Sequence, residues 1–178
     1  MLEAFRQSQA LRLARRVAEA RRPVDPEPRV RERRVVAVLP RAEDAHDEAQ
    51  REAWAFLLAL DLAPSHIVPL VFGRDVGTPD VFAGAVFHVT DQDVDWRRLP
   101  KRGITEGVWT RRPDVAIDLS PSLFAPAAYL VGGSPAAVRI GLDPKRDAAA
   151  FYDLVVTGGL EALRRTLAHL DPPVVPIR

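Results

Sequence analysis

The sequence predicts one α/β domain with a Rossmann-like, mostly parallel sheet, helices on both faces and a basic helix in front of it. Short apolar, β-branched segments alternate with amphipathic segments along most of the chain. Parallel strands need crossover connections of this kind between them. The chain has 178 residues, 47% of them hydrophobic, which is enough for one sizeable core.

Residues 2–22 are predicted to form a helix, because apolar side chains recur on one side at spacings near 3.6 residues. These side chains are Leu2, Phe5, Leu13, Val17 and Ala20. Prolines at positions 23, 26 and 28 then predict a stiff linker over residues 23–33. We expect residues 34–171 to form the α/β domain and residues 172–178 an extended tail.

Six segments are predicted to be strands because they are short, apolar and rich in β-branched residues. They are residues 34–39, 66–72, 85–89, 113–119, 137–142 and 151–156. Helices are predicted over residues 42–62, 121–131 and 159–170. Residues 91–110 contain Pro100 and Gly103, so we predict a surface connection there, with at most one helical turn around Trp96.

Candidate binding residues follow from the predicted fold, because ligands of such sheets lie at the carboxyl ends of the strands. A helix that begins there can bind an anion with its free backbone N–H groups. The candidates are Arg41, Arg74, Asp118, Ser120, Ser122 and Thr157, with the two arginines as countercharges. The alternative for Ser120 is a helix N-cap with Pro121 as the first helical residue.

The sequence argues against several classes of site. The chain has no cysteine, which excludes disulfides, zinc-thiolate sites and thiol catalysis. It lacks the dinucleotide-binding glycine fingerprint, the Walker lysine and the zinc-protease and serine-hydrolase motifs, so we predict no cofactor and no catalytic residue. The alternating acids Asp91, Asp93 and Asp95 fail the calcium-loop template and predict a solvated loop without metal.

Residues 1–34 carry ten arginines against five acidic residues, although the whole chain has a net charge of only +1. The arginines predicted to form a partner or nucleic-acid surface are Arg6, Arg12, Arg15, Arg16, Arg21 and Arg22. The alternative is a helix that packs on its own sheet with a solvated charged face. The sequence predicts neither a membrane span nor a secretory signal, so we expect a cytoplasmic protein.

Four segments after residue 90 carry a family resemblance. They are Asp93-Val94-Asp95-Trp96, the strand from Asp114 to Ser120, Arg139-Ile140-Gly141-Leu142 and Tyr152-Asp153-Leu154. In these segments the chain resembles an uncharacterised family of small bacterial proteins, a domain of unknown function.

The block around Asp118 also resembles part of the N-terminal, acceptor-side domain of lipopolysaccharide heptosyltransferases. In these GT-B enzymes an Asp-Leu-Gln strand end precedes a helix and an Arg-x-Gly strand. Here Ser120 stands in place of the glutamine, and no second Rossmann-like domain follows to bind an activated sugar. The resemblance therefore implies a GT-B-half-like fold that does not transfer sugar by itself.

Three functions are compatible with these patterns. The first is a non-enzymatic binding or interaction protein whose N-terminal helix contacts a protein partner, with a homodimer as one alternative. The second is an enzyme or sensor for a small phosphorylated ligand or nucleotide at the strand ends. The third is RNA or ribosome association through residues 1–34.

Overall fold

The computed structural model describes residues 2–21, 34–42, 47–142 and 149–169. Within these ranges the chain forms six β-strands and five α-helices. The strands are β1 (Val35–Val38), β2 (Ile67–Phe72), β3 (Phe87–Val89), β4 (Val115–Asp118), β5 (Val138–Leu142) and β6 (Leu154–Val156). The helices are α1 (Leu2–Ala20), α2 (Asp47–Leu58), α3 (Arg102–Trp109), α4 (Ala125–Gly132) and α5 (Gly159–His169).

The strands form one all-parallel sheet in the order β3-β2-β1-β4-β5-β6, which confirms the predicted Rossmann-like class. The chain builds outward from β1 to β3 and then returns to place β4 on the other side of β1. In this central pair Val35 lies beside Val115 and Val38 beside Asp118. The strand order reverses between β1 and β4, so ligand binding is expected at their carboxyl ends.

Helices cover both faces of the sheet, because each buried strand points successive side chains to opposite sides. Val36 and Val38 of β1 pack in the core that contains residues of α1, α3 and α4. Val35 and Ala37 pack in the opposite core, with residues of α2 and α5. No described helix combines the length and the apolar character needed to cross a bilayer.

Between residues 91 and 131 the predicted surface connection was wrong, and the predicted helix over residues 121–131 is present but begins later. Helix α3 occupies residues 102–109, which we had predicted to be a surface connection. Pro100 precedes this helix and leaves its hydrogen bonds intact, while Thr105 and Val108 bury one side of it. Helix α4 begins at Ala125 rather than at residue 121, with Phe124 as its N-cap. Ser120 is therefore not the cap of this helix.

The other differences lie at element ends. Ala42 forms bridges to Gly73 and Arg74, and α2 begins at Asp47, whereas we had predicted a helix from residue 42. The proposed linker, the extended tail and Arg22 lie outside the described residues.

Helix α1 packs on α4 mainly through alanines that were not among the side chains used to predict it, with Val17 of the predicted side next to them. Its buried residues are Ala10, Ala14 and Ala18, whereas Leu2 and Phe5 are 63% and 53% exposed. Alanine lets two helices approach closely, and the glycines at the end of α4 extend this fit. A Cβ on Gly133 would lie 2.3 Å from Val17 Cγ1, so no larger residue fits there without a shift.

The buried side chain of Arg139 links the C-terminal ends of α1 and α4 to Asp153, which directly precedes the edge strand β6. Arg139 of β5 contacts Asp153 with both Nε and Nη2, at 3.0 and 2.8 Å. Its Nη1 donates to two backbone carbonyl oxygens. One belongs to Gly132, the last residue of α4, and the other to Ala18 in the last turn of α1. Arg21 also donates to Asp153, at 2.8 and 2.9 Å. The arginine at the end of α1 thus helps to dock that helix.

The Asp153 carboxylate predicts an acid-dependent loss of stability. Burial opposes its ionisation, but the hydrogen bonds and charge of Arg139, together with Arg21, outweigh burial and hold the pKa of Asp153 below its ordinary value. A lowered folded-state pKa contributes stability at neutral pH that is lost as the pH falls from about 3.9 through the folded value. We expect the difference in urea midpoint between wild type and Asp153→Asn to shrink over that acid range. An unchanged difference would contradict this assignment.

Candidate ligand-binding cleft at the carboxyl ends of the strands

Two adjoining cavities lie where the strand order reverses. The smaller, here called the small pocket, measures about 180 Å³ and is lined by residues that follow β1 and β4. The larger, here called the large cleft, measures about 690 Å³ and extends towards α1 and the ends of β2 and β3. Arg41, Leu123 and Phe124 line both cavities, so the two lie side by side. The size of the large cleft suits a small organic ligand.

Ser120 lies in the wall of the small pocket and has an unsatisfied hydroxyl. The residue is only 4% exposed, and its Oγ has no hydrogen-bond partner. Four buried side chains in the described part of the chain have such an atom, and Ser120 is the one that lines the small pocket. An unpaired buried hydroxyl costs about 1–3 kcal/mol. The Oγ atom itself is almost fully covered, so a ligand in the pocket would meet it after a rotation about the Cα–Cβ bond.

Asp118, the last residue of β4, shapes the segment that carries Ser120. Its Oδ1 accepts the Ser120 backbone N–H at 2.9 Å, and its Oδ2 accepts the Tyr152 hydroxyl at 2.5 Å. The side chain is 2% exposed and contacts the Ser120 amide rather than the Ser120 hydroxyl. Asp118 therefore positions this segment; it is not placed to remove a proton from Ser120.

Tyr152 reaches Asp118 by crossing over β5 at Gly141. A Cβ on Gly141 would lie 2.1 Å from the Tyr152 ring, so the ring rests directly on the glycine. One residue further along, Asp153 pairs with Arg139. Three of the segments that carry the family resemblance thus meet in one contact network beneath Ser120.

The N-terminus of α4 opens on the large cleft. No side chain caps this end, and the first N–H to return to the helix is that of Ala128, which donates to Phe124 O at 2.9 Å. Ala125 and Pro126, in the first turn, line the large cleft, and of these two Ala125 has a backbone N–H to offer. Uncapped amides at a helix N-terminus favour a bound anion because of their donors and the helix dipole. Phe124 packs edge-on against Phe72 beside them, with ring centroids 5.2 Å apart.

The large cleft includes polar side chains that the sequence did not indicate. Glu3 and Gln7, one turn apart on α1, line this cleft. The segment after β3 adds Thr90, Asp91, Arg97 and Arg98, and Arg98 pairs with Asp91 at 2.9 Å. The spacing of Glu3 and Gln7 puts both on one side of a helix, but nothing in the sequence places that side over the sheet. Sequence reasoning therefore missed both residues, and it also missed Tyr152 as the partner of Asp118.

The predicted candidates at the strand ends do not all come together. Arg41, Ser120 and Ser122 line the small pocket, and Asp118 lies beneath it. Arg74 follows β2 and forms an ion pair with Asp47 at the start of α2, with distances of 2.5 and 2.7 Å. Thr157 follows the edge strand β6, and β5 separates that strand from β4.

The arginines predicted to form a partner surface are spread around α1. Arg12, Arg15 and Arg16 are exposed, and Arg15 pairs with Glu19 of its own helix. Arg6 lies 3.6 Å from Glu3, and Arg21 pairs with Asp153. Three of the five described candidates, Arg6, Arg15 and Arg21, thus contact acidic side chains of the same molecule.

The carboxylates of the acidic loop after β3 accept hydrogen bonds from residues of the same loop. Asp93 accepts the backbone N–H and hydroxyl of Thr90, which lower the pKa of Asp93. Asp95 accepts the amides of Arg97 and Leu99 at 2.8 and 3.0 Å. Among the residues that the structure describes, no three histidine or acidic side chains converge as metal ligands would.

The chain matches no protein-family model, and none of the curated proteins compared with it is significantly similar in sequence. The relation to a small bacterial family or to heptosyltransferase domains therefore stays a prediction.

Proposed function

We propose that this chain is a binding protein for a small phosphorylated ligand, with the phosphate held in the small pocket. The observation that carries the proposal is the buried, unpartnered Ser120 hydroxyl beside the uncapped N-terminus of α4. Where the small pocket adjoins the large cleft, a phosphate oxygen would accept from the Ser120 hydroxyl and from the backbone N–H of Ala125 in the first turn. Arg41, which lines both cavities, supplies positive charge.

Binding without catalysis is the function that these contacts support. Asp118 is committed to the Ser120 amide and the Tyr152 hydroxyl, so it is not arranged as the base of a serine nucleophile. Association with RNA or a protein through α1 remains an alternative, because Arg12 and Arg16 are exposed. It has less support, because Arg21 is used to dock α1 and no described contact gathers the exposed arginines into one site.

The test is calorimetric titration of the purified chain with inorganic phosphate and pyrophosphate. Wild type should bind, and Ser120→Ala should weaken binding about tenfold or more, as expected for a lost hydrogen bond to a charged group. Ser134→Ala is the matched control, because Ser134 is also buried but lies at the opposite end of the sheet, after α4. Equal affinity of Ser120→Ala and wild type would contradict the proposal.

A substitution of Arg41 tests the same proposal independently. Arg41→Gln should weaken phosphate binding and reduce its dependence on salt concentration, since a guanidinium charge near an anion is screened by ions. The exposed Arg51 on α2 is the control, and Arg51→Gln should leave the affinity unchanged.

A further inference from the structure

Three exposed apolar side chains lie together at the start of α1. Leu2 and Phe5 are one turn apart on this helix, and the Phe5 ring stacks on Trp96 of the loop after β3, with centroids 6.5 Å apart. Each of the three side chains is more than half exposed. The described part of the chain has five exposed large apolar side chains, so most of them belong to this one patch, here called the aromatic patch. Clusters of this kind typically mark a surface that contacts a protein or a membrane.

The aromatic patch is not shaped as a pocket, since its side chains line neither the small pocket nor the large cleft. The Trp96 ring already has two neighbours, the stacked Phe5 ring and the Arg97 guanidinium, which lies 5.3 Å from the ring centroid. A nucleic-acid base would compete with both of them for the faces of this ring. A bilayer requires neither a pocket nor a free ring face, because exposed Trp, Phe and Leu side chains insert directly at its interface.

The charges around the aromatic patch are balanced except for two arginines of α1. Three nearby acidic side chains each pair with an arginine, in the pairs Glu3–Arg6, Asp91–Arg98 and Asp95–Arg97. Arg12 and Arg16 follow Phe5 by two and three helical turns, so they lie on the same outward side of α1, and both are exposed. Within the described ranges no acidic side chain pairs with either of them. This excess positive charge complements an anionic bilayer.

We propose that the outward side of α1, with the aromatic patch at its end, binds reversibly to an anionic bilayer surface. Leu2, Phe5 and Trp96 insert at the interface, while Arg12 and Arg16 contact the anionic headgroups. The opposite side of α1 is buried against α4, so the helix presents its outward side without leaving the domain. The surface is separate from the small pocket, and the proposal does not depend on the phosphate site.

The test is sedimentation of the full chain with two kinds of vesicle, one of phosphatidylcholine alone and one of equal parts phosphatidylcholine and phosphatidylglycerol. Wild type should bind the anionic vesicles about tenfold tighter than the neutral ones, and added salt should weaken the binding. Phe5→Ser should weaken binding to the anionic vesicles about tenfold, because a large apolar side chain no longer leaves water. Leu58→Ser is the matched control and should bind as wild type does, because Leu58 is similarly exposed but ends α2, on the other face of the sheet.

The arginines are tested in the same assay. Arg12→Gln and Arg16→Gln should each weaken binding to the anionic vesicles about fivefold and reduce its dependence on salt, since each removes one charge near the headgroups. Arg51→Gln, on α2, is the control and should leave the affinity unchanged. Ser120→Ala should also bind the vesicles as wild type does, so this proposal and the phosphate site can fail separately.

Three results would overturn the inference. The first is no binding to the anionic vesicles, or equal binding of wild type and Phe5→Ser. The second is tighter binding of single-stranded oligouridine than of the vesicles, which would assign the outward side of α1 to RNA. The third is a dimer that Phe5→Ser dissociates and that does not bind vesicles, which would show that a second copy of the chain covers the aromatic patch.

Discussion

Replacing Gly141 by alanine is expected to lower the free energy of unfolding by about 3 kcal/mol, the upper part of the range for overpacking a core. The new Cβ would lie 2.1 and 2.2 Å from two atoms of the Tyr152 ring. Because the ring is held on its other side by the core and its hydroxyl by Asp118, it cannot simply rotate away. The variant should also weaken phosphate binding, since displacement of Tyr152 removes a support of the Ser120 segment. Urea unfolding and titration with inorganic phosphate measure the two effects.

Gly103→Ala is the control for this change. Gly103 lies in α3, where an added Cβ meets no atom within 4 Å. Alanine should be neutral or stabilise the protein by up to about 1 kcal/mol, because it is the better helix former. If Gly141→Ala were as stable as wild type, the packing of Tyr152 across β5 would be wrong.

Replacing Arg139 by methionine is expected to cost about 3 kcal/mol of stability, as when one partner of a buried ion pair is removed. Arg139 is buried and bonds both oxygens of Asp153 as well as the carbonyl groups that end α1 and α4. Methionine retains much of the side-chain volume but leaves the carbonyl groups of Ala18 and Gly132 without this donor. The unfolding midpoint in urea gives the measurement.

The exposed pair of Arg102 and Glu106 on α3 supplies the comparison. Its side chains are 88% and 55% exposed, and exposed pairs contribute less than about 1 kcal/mol. Arg102→Met should therefore shift the midpoint far less than Arg139→Met. Similar shifts for the two variants would show that Arg139 does not tie the helices to the sheet.

The sheet was largely predictable because its strands are buried on both faces and read as continuous β-branched and apolar runs. The strand at 115–118 and its neighbours at 35–38 and 138–142 lie within the predicted segments. Helix α3 was missed because it is only eight residues long and contains Gly103, a residue that is unfavourable inside helices. The buried side of α1 was missed because its contact with α4 selects alanines, whereas hydrophobicity alone favours Leu2 and Phe5.

The candidate site was predictable only in the part that one stretch of chain supplies. The segment that connects β4 to α4 predicted Asp118, Ser120 and Ser122 as candidates, and these residues are neighbours in the structure. Tyr152 and Glu3 come from distant parts of the sequence, and strand order and helix docking bring them to the cleft. Such contacts leave no local pattern, since neither residue type departs from what a strand start or a helix surface ordinarily carries.

The most direct test is an amide NMR titration of the ¹⁵N-labelled chain with pyrophosphate. We expect the largest chemical-shift changes at the amides of Ser120, Ser122 and the first turn of α4, with saturation at one equivalent. Changes confined to the exposed arginine-bearing side of α1, around Arg12 and Arg16, would contradict an anion site at the strand ends, as would the absence of any saturable change.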